Sequence, residues 1–356
     1  MRHTVRLERR SYGLLAFLTF ACTIIVACGR DESGASGTEK DRSNAAITWI
    51  RSFDLYEDSG VINVNPRVEV DPHGGFLVAD ASEAQLRRYA LDGRLHWRAG
   101  AKGNGPGEFQ APTALARLRS GEVLVSDRSG KFTVFDSSGI SVTHTSQTPF
   151  RQVEDLVVLD DSLILVSAMH KDSVQGPRLH IWNLKVDAIS RSYFSPLKNA
   201  LNKTAAVVAG WSKVTIRADT VAAVFATSDT VYFFTLSGRP LGTVPLPFRQ
   251  FRRVGRDAPR AATDPITRAK WLGSFDMVGD VHWLSNGDLL IPYQSVIPDK
   301  ALNRTWHLLR MTRTGEPIFE VRDVPRLFAV GAQGDSLYFT NPKAEAPNQW
   351  SVARLR

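Results

Sequence analysis

Six short apolar runs, each behind a turn and each followed by a second turn at a similar distance, predict an all-β chain: a six-bladed β-propeller of four-stranded antiparallel blades. The first observation is the repeat. Gly75 leads into FLVAD, Gly121 into EVLVSD, Asp161 into SLILVSA, Thr220 into VAAVFA, Gly287 into DLLIP and Asp335 into SLYFT. At the shorter spacings these runs recur every roughly 40 to 50 residues, the length of one blade, and two longer intervals mark insertions. The second is a set of downstream hairpin turns at Asp92-Gly93, Ser138-Gly139, Val186-Asp187, Ser237-Gly238 and Thr314-Gly315. The third is composition: β-branched and aromatic residues crowd the runs, with almost no helical period.

Along the chain, residues 1–27 read as a signal peptide. Arg2, Arg6, Arg9 and Arg10 stand against Glu8 alone, and Ser11 to Ala27 carries no charge. The apolar part, Leu14 to Ala27, is shorter than the about 20 residues a spanning helix needs. It ends in Ile25-Val26-Ala27-Cys28, which resembles the lipobox of bacterial lipoproteins. That resemblance implies an acylated Cys28 as the mature N-terminus and a membrane held through its lipid. Thr19 spoils the same pattern before Cys22, and Arg9-Arg10 with Tyr12 matches a twin-arginine signal poorly. Residues 28–46, GRDESGASGTEKDRSNAA after the cysteine, are too polar to bury a core and read as a tether. The expected location is the cell envelope, lipid-anchored and extracytoplasmic. Gly29, rather than an aspartate, follows the cysteine, which agrees with the outer membrane if the cell has one.

Composition excludes several chemistries. With Cys22 removed and Cys28 lipidated, no thiol remains for a disulfide, a nucleophile or a Cys-bound metal. The net charge of +8 falls to +5 once residues 1–27 leave with four Arg and one Glu. So mild an excess outside the cytoplasm points away from nucleic acid and toward anionic lipid or saccharide.

The propeller is expected over 47–356. ITWIRSFDL, residues 47–55, stands before the first full unit, while the last unit supplies only about three strands before QWSVARLR. Pairing the two ends in one blade closes the ring and removes a free sheet edge. GNGPGEFQAP, residues 103–112, joins one blade to the next. It lacks the G-x-G-x-x-G spacing and a following helix, so it is a structural turn rather than a phosphate cradle, with Phe109 buried between blades.

GPGEF, the LVAD and LVSD runs and the Asp92-Gly93 turn resemble the NHL-repeat family and related six-bladed propeller lipoproteins, most strongly over about 66–140. The resemblance implies a fold and a scaffold role. Family members range from protein and RNA binding to lyase chemistry, so it does not set an activity.

Two insertions interrupt the repeat, at about 196–213 and 247–275. The second is basic, with Arg249, Arg252, Arg253, Arg256, Arg260, Arg268 and Lys270 against Asp257 and Asp264. Asp264-Pro265 starts a short helix and Gly273 stops it, with Ile266, Ala269 and Leu272 as its docking face. Arg249, Arg252, Arg253 and Arg256 are the candidate ligand-binding residues, as carboxylate or phosphate partners in a lid over the channel mouth. The competing reading is a solvated basic loop.

Asp80 and Asp127 occupy equivalent strand ends, where a hydroxyl or amide partner in the turn would account for each. No H-x-x-x-H or H-E-x-x-H spacing, G-x-S-x-G elbow, P-loop or EF-hand loop occurs. His170 with Asp172, and His282 with Asp280, are base-and-orienter pairs only if the fold brings them together. No cofactor is predicted, no metal ligand is assigned and the catalytic residues are unknown. A divalent metal assembled in the channel from single residues on several blades stays open. The balance favours a binding scaffold for an envelope protein, a saccharide or a small anionic ligand. The alternative is a metal-dependent propeller enzyme of lactonase, hydrolase or lyase type.

Overall fold

A computed structural model describes residues 46–56, 66–71, 74–195, 203–248, 250–254, 264–297, 304–331, 335–340 and 348–356. Six four-stranded antiparallel paths form six blades. Each of the apolar runs read from the sequence is the second strand of its blade: Phe76–Asp80, Val123–Asp127, Leu163–His170, Thr220–Phe225, Leu289–Val296 and Ser336–Thr340. These runs do not alternate because both faces are covered. Phe76 and Val78 turn toward the sixth blade, while Leu77 and Ala79 turn toward the second.

The described core divides into one cluster per blade junction. Phe132, Phe150 and Trp182 join blades two and three, and Val221, Phe225 and Leu165 join three and four. Leu289, Ile291 and Val231 join four and five, and Leu308, Leu337 and Phe339 join five and six. Six junctions close a ring with no uncovered blade face, so apolar burial is shared around the whole circumference.

The sixth blade is built from both ends of the chain. Leu327–Val330, Ser336–Thr340 and Gln349–Leu355 are its inner three strands, and Ile47–Asp54 is its outer one. Ile47 faces Leu355 and Asp54 faces Gln349, with a bulge between Trp49 and Arg51. Arg356 N–H donates to the Ala46 carbonyl at 3.0 Å. Phe53 then carries the closure into blade one, stacking on Phe76 at 5.7 Å beside the buried Trp350.

The turn at 103–109 folds as a blade connection. It closes on itself: Gly103 N–H donates to the Phe109 carbonyl at 3.0 Å, and Gly105 N–H to the Glu108 carboxylate at 2.8 Å. Phe109 is fully buried between blades one and two. Gly100, at φ 88°, must be glycine, because a β-carbon there would meet the Phe109 ring at 2.6 Å.

Both insertions leave from the same end of the ring, where outer strands run on to the next blade. The helix Pro265–Leu272 starts at Asp264, whose carboxylate accepts from the Ile266 and Thr267 amides at 3.2 and 2.8 Å, and it stops at Gly273. Its docking face differs from expectation. Ile266 is 65% exposed, and the helix is held instead by Trp271 and Leu272. The reason lies in the neighbouring insertion: Val208, at the end of the helix Lys203–Ala209, packs with Trp271, Phe275 and Met277 over Ala226. The two insertions thus form one joint cap on blade four.

Candidate functional site

The inner strand of each blade lines the axis, and an axial cavity of about 360 Å³ receives side chains from all six. Inner strands are short and apolar on the faces that pack between blades, so a charged residue on one is directed to the axis or to a partner across it. Arg67 and Glu69 come from blade one, Arg117 from blade two and Asp155 from blade three. Lys213 comes from blade four, Asp280 and His282 from blade five, and Leu327 and Phe328 from blade six, next to Arg326.

The charges are interlocked across blades. Lys213 Nζ stands 3.4 Å from Asp155 Oδ1 and donates to the Glu154 carbonyl at 2.9 Å, while Val214 N–H donates to Asp155 Oδ2 at 3.0 Å. Arg67 Nε donates to the Thr113 carbonyl at 2.8 Å, and its terminal nitrogen stands 3.9 Å from Glu154. Arg117 and Arg88 converge on Asp71, the latter at 2.8 Å. Glu69 accepts the Arg117 amide at 3.0 Å.

Burial dominates the acids. It pushes the Glu69 carboxyl up to about 8, against the lowering effect of the Arg117 amide and with help from the Asp155 and Asp71 charges. Asp155 is raised first by burial, with Lys213 opposing and Asp280 adding. Glu154 is raised by burial against Arg67, Lys213 and Arg178. Burial thus favours the neutral form of Glu69, in a cavity that also holds an ammonium and guanidinium groups.

Of the candidate residues named from sequence, Cys28, Arg249 and Arg256 lie outside the described residues. Arg252 and Arg253 are described, and both hold acids of their own. The Arg252 amide donates to Asp276 at 2.7 Å, and its guanidinium reaches the Val296 carbonyl. Arg253 holds Asp229 through Nε at 3.1 Å and stays 73% exposed. Their geometry anchors the second insertion to blades four and five.

Asp80 and Asp127 have the turn hydroxyls expected of them, Ser82 and Ser129, each at 2.6 Å. Asp127 also takes the Gln110 and Ala111 amides at 3.1 and 2.7 Å, which pins the blade connection. Asp80 is paired with Arg87 at 2.7 Å. Among the histidines, His170 stands 3.6 Å from an exposed Asp172, whereas His282 stands 3.7 Å from Asp280 within the channel. Ser295 Oγ and His307 Nε2 lie 2.6 Å apart, but the Asp323 amide is aimed at Nδ1 at 3.4 Å. That leaves the proton on Nε2, so the ring donates to the serine and does not activate it. Among the described residues no three His, Cys, Asp or Glu side chains are grouped to hold a metal ion.

The channel site is absent from the sequence reading because its members are single residues on six separate strands. One signal was present: Arg67 and Glu69 alternate with Val68 and Val70 in one first strand, and Glu154 and Asp155 stand side by side before Leu156-Val157-Val158 in another.

The sequence matches no family model and no curated protein. Solved structures do resemble it. A Bacteroides fragilis NCTC 9343 protein provisionally described as exported aligns with a TM-score of 0.61 at 13% identity, covering 88% of this chain and 96% of that one. The WD40 repeats of RRP9 align at 0.50 and 13% identity, covering 88% and 98% of the two chains in turn. BamB from Moraxella catarrhalis aligns at 0.44 and 12% identity over 87% and 98%. At these identities the likeness is one of fold.

Proposed function

We propose that the chain is a lipid-anchored, extracytoplasmic binding scaffold, held to the membrane through Cys28 and taking an anionic ligand at the axial channel. The observation that carries this reading is the cavity, about 360 Å³, in which Arg67, Arg117, Lys213 and Arg326 from four blades outnumber the acids Glu69, Asp155 and Asp280. Its size and mixed lining suit a small molecule or the terminal unit of a larger partner. A saccharide acid or a carboxylate-bearing segment of an envelope protein presents that chemistry. Arg249, Arg252, Arg253 and Arg256 would add positive charge from the insertion beside blade four. The NHL-like stretch over about 66–140 supports a scaffold role by resemblance.

Two measurements test the reading. Replacing Cys28 with Ser should move the protein from the membrane to the soluble fraction. Thermal unfolding of the mature chain against phosphate, sulfate, organic carboxylates and an acidic polysaccharide should show one anion class that raises the midpoint, as ligands specific to the folded state do. Lys213→Met should abolish that rise. If no anion raises the midpoint, the channel is not a ligand site and the reading falls.

A further inference from the structure

We infer, on the reading of Cys28 as the membrane anchor, that the end of the ring opposite the insertions docks on the bilayer, with one exposed aliphatic side chain from each blade entering a zwitterionic lipid interface.

In an antiparallel four-stranded blade the turn from third to fourth strand stands at the end opposite the run-on to the next blade, and so opposite the insertions. At this end every blade shows water one large aliphatic residue. Leu91, Ile140 and Val186 lie in the turns of blades one to three, and Ile140 is 84% exposed. In blades four, five and six the exposed residue is Leu241, Ile318 and Ile50 in turn. Each of these three is the extra residue of a bulge near the start of its outer strand: pairing skips Leu241 between Pro240 and Gly242, Ile318 between Pro317 and Phe319, and Ile50 between Trp49 and Arg51. A bulge re-aims a side chain, here away from the sheet. Aliphatic residues exposed singly are ordinary on a protein surface, but recurrence at the same corner of six blades is not. Trp49, half exposed beside Ile50, adds a residue type that favours lipid interfaces.

Two observations name the bilayer as the occupant. The six side chains are spread one per blade, so they do not make the contiguous apolar core that a protein partner covers. A lipid interface is extended and fluid, and takes separate protruding side chains without matching their shape. The chain also enters the ring at this end: Ile47 pairs with Leu355, and the Arg356 amide holds the Ala46 carbonyl. Residues 29–45 link Ala46 to Cys28. Such a link spans at most about 60 Å when fully extended, so an anchored ring stays beside the bilayer and its shortest approach is by the end the link leaves from. Charge does not select anionic lipid. Arg94, Lys185, Arg239 and Arg313 in the third-to-fourth turns are matched in number by Asp92, Asp136, Asp187 and Glu316, and the first-to-second turns at the same end add acids such as Asp161 and Asp335. The attraction is apolar, through side chains reaching the headgroup boundary.

The probe is a phosphatidylcholine vesicle containing nitroxide-labelled lipid. Apart from Cys22 and Cys28 the chain has no cysteine, so Ile140→Cys and Ile266→Cys each give the lipid-anchored protein one free thiol to carry a fluorophore. The label replacing Ile140 should be quenched by the lipid about threefold more than the label replacing Ile266, which is exposed on the insertion helix. Adding Ile50→Asp and Ile318→Asp should erase the difference, and both are surface changes that leave the core intact. Replacing half of the lipid with phosphatidylglycerol should change the quenching less than about twofold, and a larger rise overturns the zwitterionic assignment. Equal quenching at the two sites, stronger quenching at Ile266, or a difference that survives both aspartates overturns the docking surface and leaves the anchor reading intact. A label at Ile140 that is shielded from iodide without lipid would show a second copy on this end, and also overturns it. If the protein with Cys28 intact does not stay with vesicles, the anchor reading falls. The same labels on Cys28→Ser protein at high lipid then decide: quenching at Ile140 but not at Ile266 supports the docking surface, and none at either site overturns it.

Discussion

The indole of Trp97, on the outer strand of blade one, lies flat against Gly139 in the last turn of blade two, so closely that a β-carbon on the glycine would stand 2.5 Å from the ring. The same joint recurs around the ring: Tyr193 lies on Gly238 and Val244 on Gly315, with clearances of 2.6 Å each, and Asp54 and Phe53 lie on Gly93. All four glycines have positive φ. Between blades two and three the glycine is replaced by Asp187, itself at φ 50°, and the joint becomes a polar contact between Asp187 Oδ1 and His144 Nε2 at 2.9 Å. In blades one to five the downstream turn is thus the peg by which the blade seats on its predecessor.

Gly139→Ala is expected to destabilise the fold by about 1–3 kcal/mol, from backbone strain at positive φ together with the clash on Trp97. Urea unfolding measures it. Gly242→Ala is the control for strain alone, since Gly242 has φ 140° but open space beyond its Cα. An equal cost at both sites would remove the joint from the explanation.

Phe53→Ala should cost about 3–5 kcal/mol, as expected for emptying a buried aromatic site. Because Phe53 links the closing strand to blade one, limited proteolysis should cut first near residue 46 in this variant. Cleavage elsewhere would show that the closing blade is not the weak point.

Asp127→Asn keeps the shape of the side chain but weakens its bonds to two amides of the blade connection and to the Ser129 hydroxyl of its own turn. A loss of about 2 kcal/mol is expected, in the range for hydrogen bonds to a charged group. Ligand binding in the channel should be unaffected. Loss of binding with stability intact would give Asp127 a functional role.

Stability should also depend on pH through Glu69. Its folded value of about 8 lies above the ordinary 4.5, so the folded state holds a proton that the unfolded chain releases. The contribution is fully present below about pH 4.5 and is lost as pH rises through about 8. Glu69→Gln removes this penalty. The variant should unfold at the same temperature as the natural protein near pH 4 and at a higher one from about pH 7 to 9. A difference independent of pH would mean that Glu69 is not protonated in the channel.

What could be read from the sequence was what repeats. Runs buried on both faces recur in every blade, behind a turn glycine in three of them, Gly75, Gly121 and Gly287, so six second strands and the closing strand were legible in the sequence. The start of the helix at Asp264-Pro265 was visible too, because capping is local. Its docking through Trp271 was not, since the partner Val208 comes from another insertion. The channel was hidden for the same reason on a larger scale: Glu69, Asp155 and Lys213 meet only after the ring closes.

Closure has a kinetic consequence. The outer strand of the sixth blade, Ile47–Asp54, is synthesised long before its pairing partner, Gln349–Leu355. Until that partner is made, every partial product of the ring is an open arc with apolar flanks at both ends, awaiting a contact between strands far apart in sequence. Such long-range pairing is slow and leaves sticky intermediates. The topology itself withholds the closed ring until both of these strands are present.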